Sequence, residues 1–189
     1  MDERIKKVIS NLQRNNMAGY FVENREELLK LLAALMKKGE TVGCGDSVTL
    51  EETGVLDLVR NGDFIFYDKH QPGLTPDEKR AIYLQNFNAD TFLTGANAIT
   101  LDGKLFNIDG NGSRVAPMLY GPKQVIVVAG INKLTDTVED PSTAPGRLPH
   151  LWMRKGFTRI RHVQSWANAS IAGMSSGFAM TLFLLRDNS

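Results

Sequence analysis

Residues 88–133 read NADTFLTGANAITLDGKLFNIDGNGSRVAPMLYGPKQVIVVAGINK. Three apolar runs in this stretch, at Thr91 to Leu93, Leu105 to Ile108 and Gln124 to Ala129, have the length of buried strands. Each ends in glycine, asparagine or a small polar residue. Glycine lets backbone approach a neighbour or a ligand, and Asn and Asp tolerate turn conformations while offering hydrogen bonds. Ligands of open α/β sheets bind at the carboxyl ends of the strands. The stretch therefore predicts a site together with a fold. Leu101-Asp102-Gly103-Lys104, between two strand-like runs, predicts a tight hairpin turn and one antiparallel pair.

Working outward, Ile5, Val8, Ile9 and Leu12 recur at helical spacing and predict a helix over 2–15. A short strand is expected at Tyr20 to Val22. Asn24 reads as the N-cap of a helix over 25–38 that Gly39 stops. A strand at 41–45 enters a glycine turn, where Asp46 or Ser47 can cap a helix towards Glu52. A helix over 55–60 and a strand over 64–67 follow. Thr75-Pro76-Asp77-Glu78 combines a cap, a proline at the first helical position and a capping-box acid, predicting a helix to about Phe87. A further helix is expected near 114–120. Strands alternating with helices predict an α/β fold, its mostly parallel sheet covered by helices on both faces.

Bulk properties narrow the class. A chain of 189 residues fits one domain, and 42% apolar with 23% charged residues is ordinary for a soluble globular protein. A net charge of +1 gives no support for a nucleic-acid partner. One cysteine, Cys44, rules out a disulfide framework and a four-thiolate metal site within this chain. Cys44 is expected to be a small buried residue rather than a reactive thiol. The first residues lack the apolar core of a signal peptide, and no run reaches the ~18 apolar residues of a membrane span. The expectation is a cytoplasmic protein without a membrane span.

Four segments carry candidate chemistry. Gly43-Cys44-Gly45-Asp46-Ser47-Val48-Thr49 lies between a strand and a helix. Its free backbone N–H groups and hydroxyls suit a phosphate or carboxylate, or simply a capped turn. It is neither a complete dinucleotide fingerprint nor a Walker A loop. Gly43, Gly45, Asp46, Ser47 and Thr49 are its candidate ligand groups. Thr94, Gly95 and Asn97 end the next strand. Asp109, Gly110, Gly112 and Arg114 bring a carboxylate beside a guanidinium, a pairing suited to acid–base work, anion recognition or a structural ion pair. Asp109 is the candidate acid–base group. Asn132 and Lys133 close the last strand, where the lysine can reach an anion. No metal ligands are assigned.

At Gly43 to Leu50, Thr94 to Thr100, Asn107 to Ala116, Gly121-Pro122 and Gly130 to Lys133, the chain resembles the lactate-utilization (LUD domain) family, its short bacterial members in particular. The resemblance covers about residues 1–140. It implies an α/β fold similar to the ribose-phosphate isomerase and CoA-transferase group. It also implies a place in the oxidation of L-lactate to pyruvate beside iron–sulfur partner proteins. The related fold leaves two alternatives open: a sugar-phosphate isomerase or CoA-transferase-like enzyme, or a non-catalytic module that binds a ligand or docks an iron–sulfur partner.

After Asp140 the pattern changes. Three prolines fall within nine residues, and no period of 2 or 3.6 is sustained. Short members of the family continue instead with a helix and a four-cysteine cluster. A reading frame displaced by one base is compatible with that cluster, with Val163, Ala169, Ala172 and Ala179 at the cysteine spacing. The expectation is therefore a domain over 1–140 and a non-family tail over 141–189, frameshifted or disordered and poorly packed. Its apolar end, Phe178 to Leu185, is left to collapse onto the domain or to aggregate. An iron–sulfur cluster or zinc is expected only in the frame-restored form.

Overall fold

The computed structural model describes residues 1–136 and 179–186, together with the backbone of 160–164. Helix α1 (Glu3–Arg14) starts where the Asp2 carboxylate accepts from the Arg4 N–H, and it buries Ile5, Val8 and Leu12. Strand β1 (Ala18–Val22) leads to α2 (Arg25–Leu35), capped by Asn24 as its sequence predicts. Strand β2 (Thr41–Cys44), α3 (Val48–Glu52), α4 (Val55–Asn61) and β3 (Ile65–Phe66) follow. Helix α5 (Pro76–Gln85) carries the complete capping box of Thr75 and Glu78. Then come β4 (Thr91–Thr94), β5 (Ala98–Thr100), β6 (Leu105–Asp109), α6 (Val115–Leu119), β7 (Gln124–Gly130), β8 (Leu134–Thr135), β9 (Ile160–Gln164) and β10 (Ala179–Leu185).

Six strands form an all-parallel sheet in the order β1-β10-β7-β4-β2-β3. Alternate residues of β7 enter opposite layers. Val125, Val127 and Ala129 join α1 and the smaller sheet, whereas Ile126 and Val128 join α2, α3 and α4. Burying one such valine or isoleucine contributes about 1.5–3 kcal/mol, so a strand buried on both faces anchors both layers. The smaller sheet runs β8-β5-β6-β9. Its β5–β6 pair is antiparallel and is joined by the predicted turn, where Gly103 takes a φ of +81°. A side chain is strained in that conformation.

The boundary expected at Asp140 is not the boundary of the sheet. Strand β10 lies between β1 and β7, paired with both along its length, from Ala18↔Thr181 on one side and Ala179↔Gln124 on the other. Met180, Leu182, Phe183 and Leu184 are buried. The expectation of a poorly packed tail is therefore corrected for 179–186. A continuous apolar run suits a central parallel strand, and β1 without it stands two strand spacings from β7. Strand β9 pairs antiparallel with β6, from Leu105↔Gln164 to Asp109↔Ile160. The rest of the expected tail, 141–159, 165–178 and 187–189, lies outside the described residues, Ala169 and Ala172 included.

Candidate functional site

Because the large sheet is all parallel, β2, β4, β7 and β10 present their carboxyl ends along one edge. Two loops meet there with no room for another methyl group. A Cβ on Gly45 would stand 2.9 Å from both Thr94 Oγ1 and Arg114 Cγ, and a Cβ on Gly95 would stand 2.6 Å from Ser47 Oγ. The Ser47 hydroxyl accepts from the Leu50 N–H at 3.4 Å, capping α3. Gly43 lies two residues before Gly45, within β2, where its missing side chain leaves space for the buried Asn86 amide. It lies in the strand interior, away from the edge.

Arg114 ties three segments together. Its Nη2 donates to Asn97 Oδ1 at 2.7 Å and to the Ile108 carbonyl at 2.6 Å, and its Nη1 donates to the Asp46 carbonyl at 3.4 Å. Burial lowers the pKa of Arg114 from its ordinary value, and the charges of Asp109 and Asp46 act against that shift. The buried Asp109 carboxylate accepts from the backbone N–H groups of Arg114 at 2.8 Å, Val115 at 3.0 Å and Asn111 at 3.4 Å. Oδ2 thus supports the start of α6, and Oδ1 the turn that precedes it. Gly110 and Gly112 form the intervening turn, Gly112 with a φ of +81°. Thr94 is buried beneath the loop, its hydroxyl donating to the Gly95 carbonyl at 3.3 Å.

Thr49, Asn132, Lys133 and Arg186 line a cleft of about 220 Å³ at the same edge. Arg186 is engaged by Glu23, Nε to Oε2 at 2.9 Å. The edge thus collects the strand-end loops, yet Arg114 and Asp109 already carry internal hydrogen bonds. Cys44 is buried, and that burial pushes its thiol up to about 12, so it stays protonated near neutral pH. Among the described residues, no three His, Cys, Asp or Glu side chains gather to hold a metal ion.

Lys69 and Tyr83 are absent from the sequence-derived set. Lys69 is 4% exposed, and its Nζ lies 2.7 Å from Asp46 Oδ1 and 5.5 Å from the centre of the Tyr83 ring. Asp68-Lys69 follows β3 towards this same edge, and only that placement brings the lysine to Asp46. His70, the next residue in the chain, is exposed.

Parallel strands, helices on both faces and loops crowded at the carboxyl edge define an α/β domain with a mostly parallel sheet. The chain belongs to the LUD domain family, which matches residues 5–144. A DUF162 family protein from Deinococcus radiodurans, known from a crystal structure, is similar in fold. Its TM-score is 0.58 at 15% identity, over 98% of this chain and 97% of that one. No curated protein matches the chain. No helix among the described residues is long and apolar enough to cross a membrane.

Proposed function

We propose that the protein is a lactate-utilization component, acting in the oxidation of L-lactate to pyruvate, and that it binds a small carboxylate or phosphate at the carboxyl edge of its large sheet. Membership of the LUD domain family supports the pathway. The observation that carries the site is Arg114, whose guanidinium joins the 43–49 loop, Asn97 and the end of β6 in one cluster. Lys133 and Asn132 add polar groups to the adjoining cleft. Electron transfer is assigned to iron–sulfur partner proteins.

The commitment of both Asp109 oxygens to backbone N–H groups favours ligand binding over proton transfer by that residue. Thermal melts with L-lactate, pyruvate and inorganic phosphate test the reading. A concentration-dependent rise in Tm with one of them is expected, since a ligand that binds only the folded state stabilises it by mass action. Identical melts with all three at concentrations far above cellular levels contradict it.

A further inference from the structure

We propose that Lys69 is the buried cation of a small-carboxylate site, and that the Asp46 side chain occupies this site from within the chain when no ligand is bound. The proposal rests on the carboxylate-binding reading above and names its central group. Lys69 Nζ is buried, and its one close anionic partner among the described residues is a single carboxylate oxygen of Asp46. An ammonium carries three donors, and burying one with so little compensation is costly. The charge set against it is Asp46 Oδ1 at 2.7 Å, with the Tyr83 ring as an apolar wall.

The two halves of this ion pair are unlike. The Lys69 side chain is 3% exposed and the Asp46 side chain 59% exposed. Asp46 can therefore move into water when another anion takes its place, whereas Lys69 stays in the protein and needs an anion. The other carboxylates nearby are committed. Asp68 holds Arg60 Nε at 2.8 Å and the His70 N–H at 2.9 Å, and Asp109 holds the start of α6. Arg114 Nη1 reaches the Asp46 carbonyl, so cationic groups from two parts of the chain meet at this one residue. A ligand carboxylate replacing the Asp46 carboxylate takes over its charge role without exposing a new buried charge. Asp46 is then an internal competitor, and apparent affinity is reduced by the fraction of molecules in which it is docked.

Calorimetric titration of the full chain with L-lactate, pyruvate and inorganic phosphate tests this, comparing wild type with Asp46→Asn and Lys69→Met. Removing a competitor docked about nine-tenths of the time tightens binding roughly tenfold, so Asp46→Asn is expected to bind L-lactate or pyruvate about tenfold more tightly than wild type. Lys69→Met is expected to lose tenfold or more. Tighter binding of phosphate alone overturns the carboxylate assignment. Wild-type binding that neither substitution changes overturns the role of Lys69 while leaving carboxylate binding intact. Absence of binding in wild type and Asp46→Asn alike overturns both. A measurement without substitutions guards against misfolded variants. In 13C-labelled wild type, the Lys69 Cε resonance is expected to move on addition of L-lactate or pyruvate. A resonance that stays still while the ligand binds overturns the proposal.

Discussion

Asp109 and Arg114 act first as structural partners. Three backbone N–H groups converge on one carboxylate that is nearly closed to water, and a buried acceptor set of this kind is costly to remove. Asp109→Ala is therefore expected to lower unfolding stability by about 1–3 kcal/mol, measured by urea denaturation. A change within about 0.5 kcal/mol, the usual range for surface substitutions, contradicts that role. The residue types at this turn were legible, since Asp, Gly and Arg between a strand and a helix mark a special loop. Their roles were not. The same carboxylate serves as a proton acceptor or as a backbone anchor, and only the direction of the neighbouring N–H groups separates the two. Lys69 escaped for a related reason, because nothing in a single lysine codes for its burial.

At the scale of elements, α5 is unusual in burying none of its residues. Leu84 on it is 56% exposed, and the Asn86 that follows is wholly buried. Such a helix depends on its ends. Thr75→Ala removes the one hydroxyl that both accepts from the Glu78 N–H and donates to Glu78 Oε2, an effect of about 1 kcal/mol. Because α5 adds little to the core, the loss is expected as faster amide hydrogen exchange confined to 76–85, with the global Tm nearly unchanged. Unaltered exchange in that segment contradicts the dependence on the cap. Elements with strong local signals were legible: the capped helices, the Gly103 hairpin and the β7 run all occur where their residues predict them. Strand β10 was not. A run such as Ala179-Met180-Thr181-Leu182-Phe183-Leu184-Leu185 has no alternation, and its place between β1 and β7 depends on partners more than forty residues away.

For the molecule as a whole, β10 is the seam of the large sheet, and its removal separates β1 from the rest. A chain ended after residue 178 is expected to lose cooperative unfolding, followed by circular dichroism on heating. A truncated chain that melts as sharply as the full one contradicts this, and agrees with the displaced reading frame in which residues after 140 do not belong to the domain. The central claim is that the carboxyl edge of the sheet holds a small carboxylate. A second cleft, of about 540 Å³, opens at the opposite edge beside Gly39, Glu40, Asp90 and Lys123, so the two ends of the sheet give different answers. Amide chemical shifts of the 15N-labelled protein, recorded during titration with L-lactate and with pyruvate, decide between them. The account predicts that the shifts concentrate at Gly45 to Thr49, Gly95 to Asn97 and Asn132-Lys133. Shifts confined to Gly39-Glu40, Asp90-Thr91 and Lys123-Gln124, or none at either edge, contradict it.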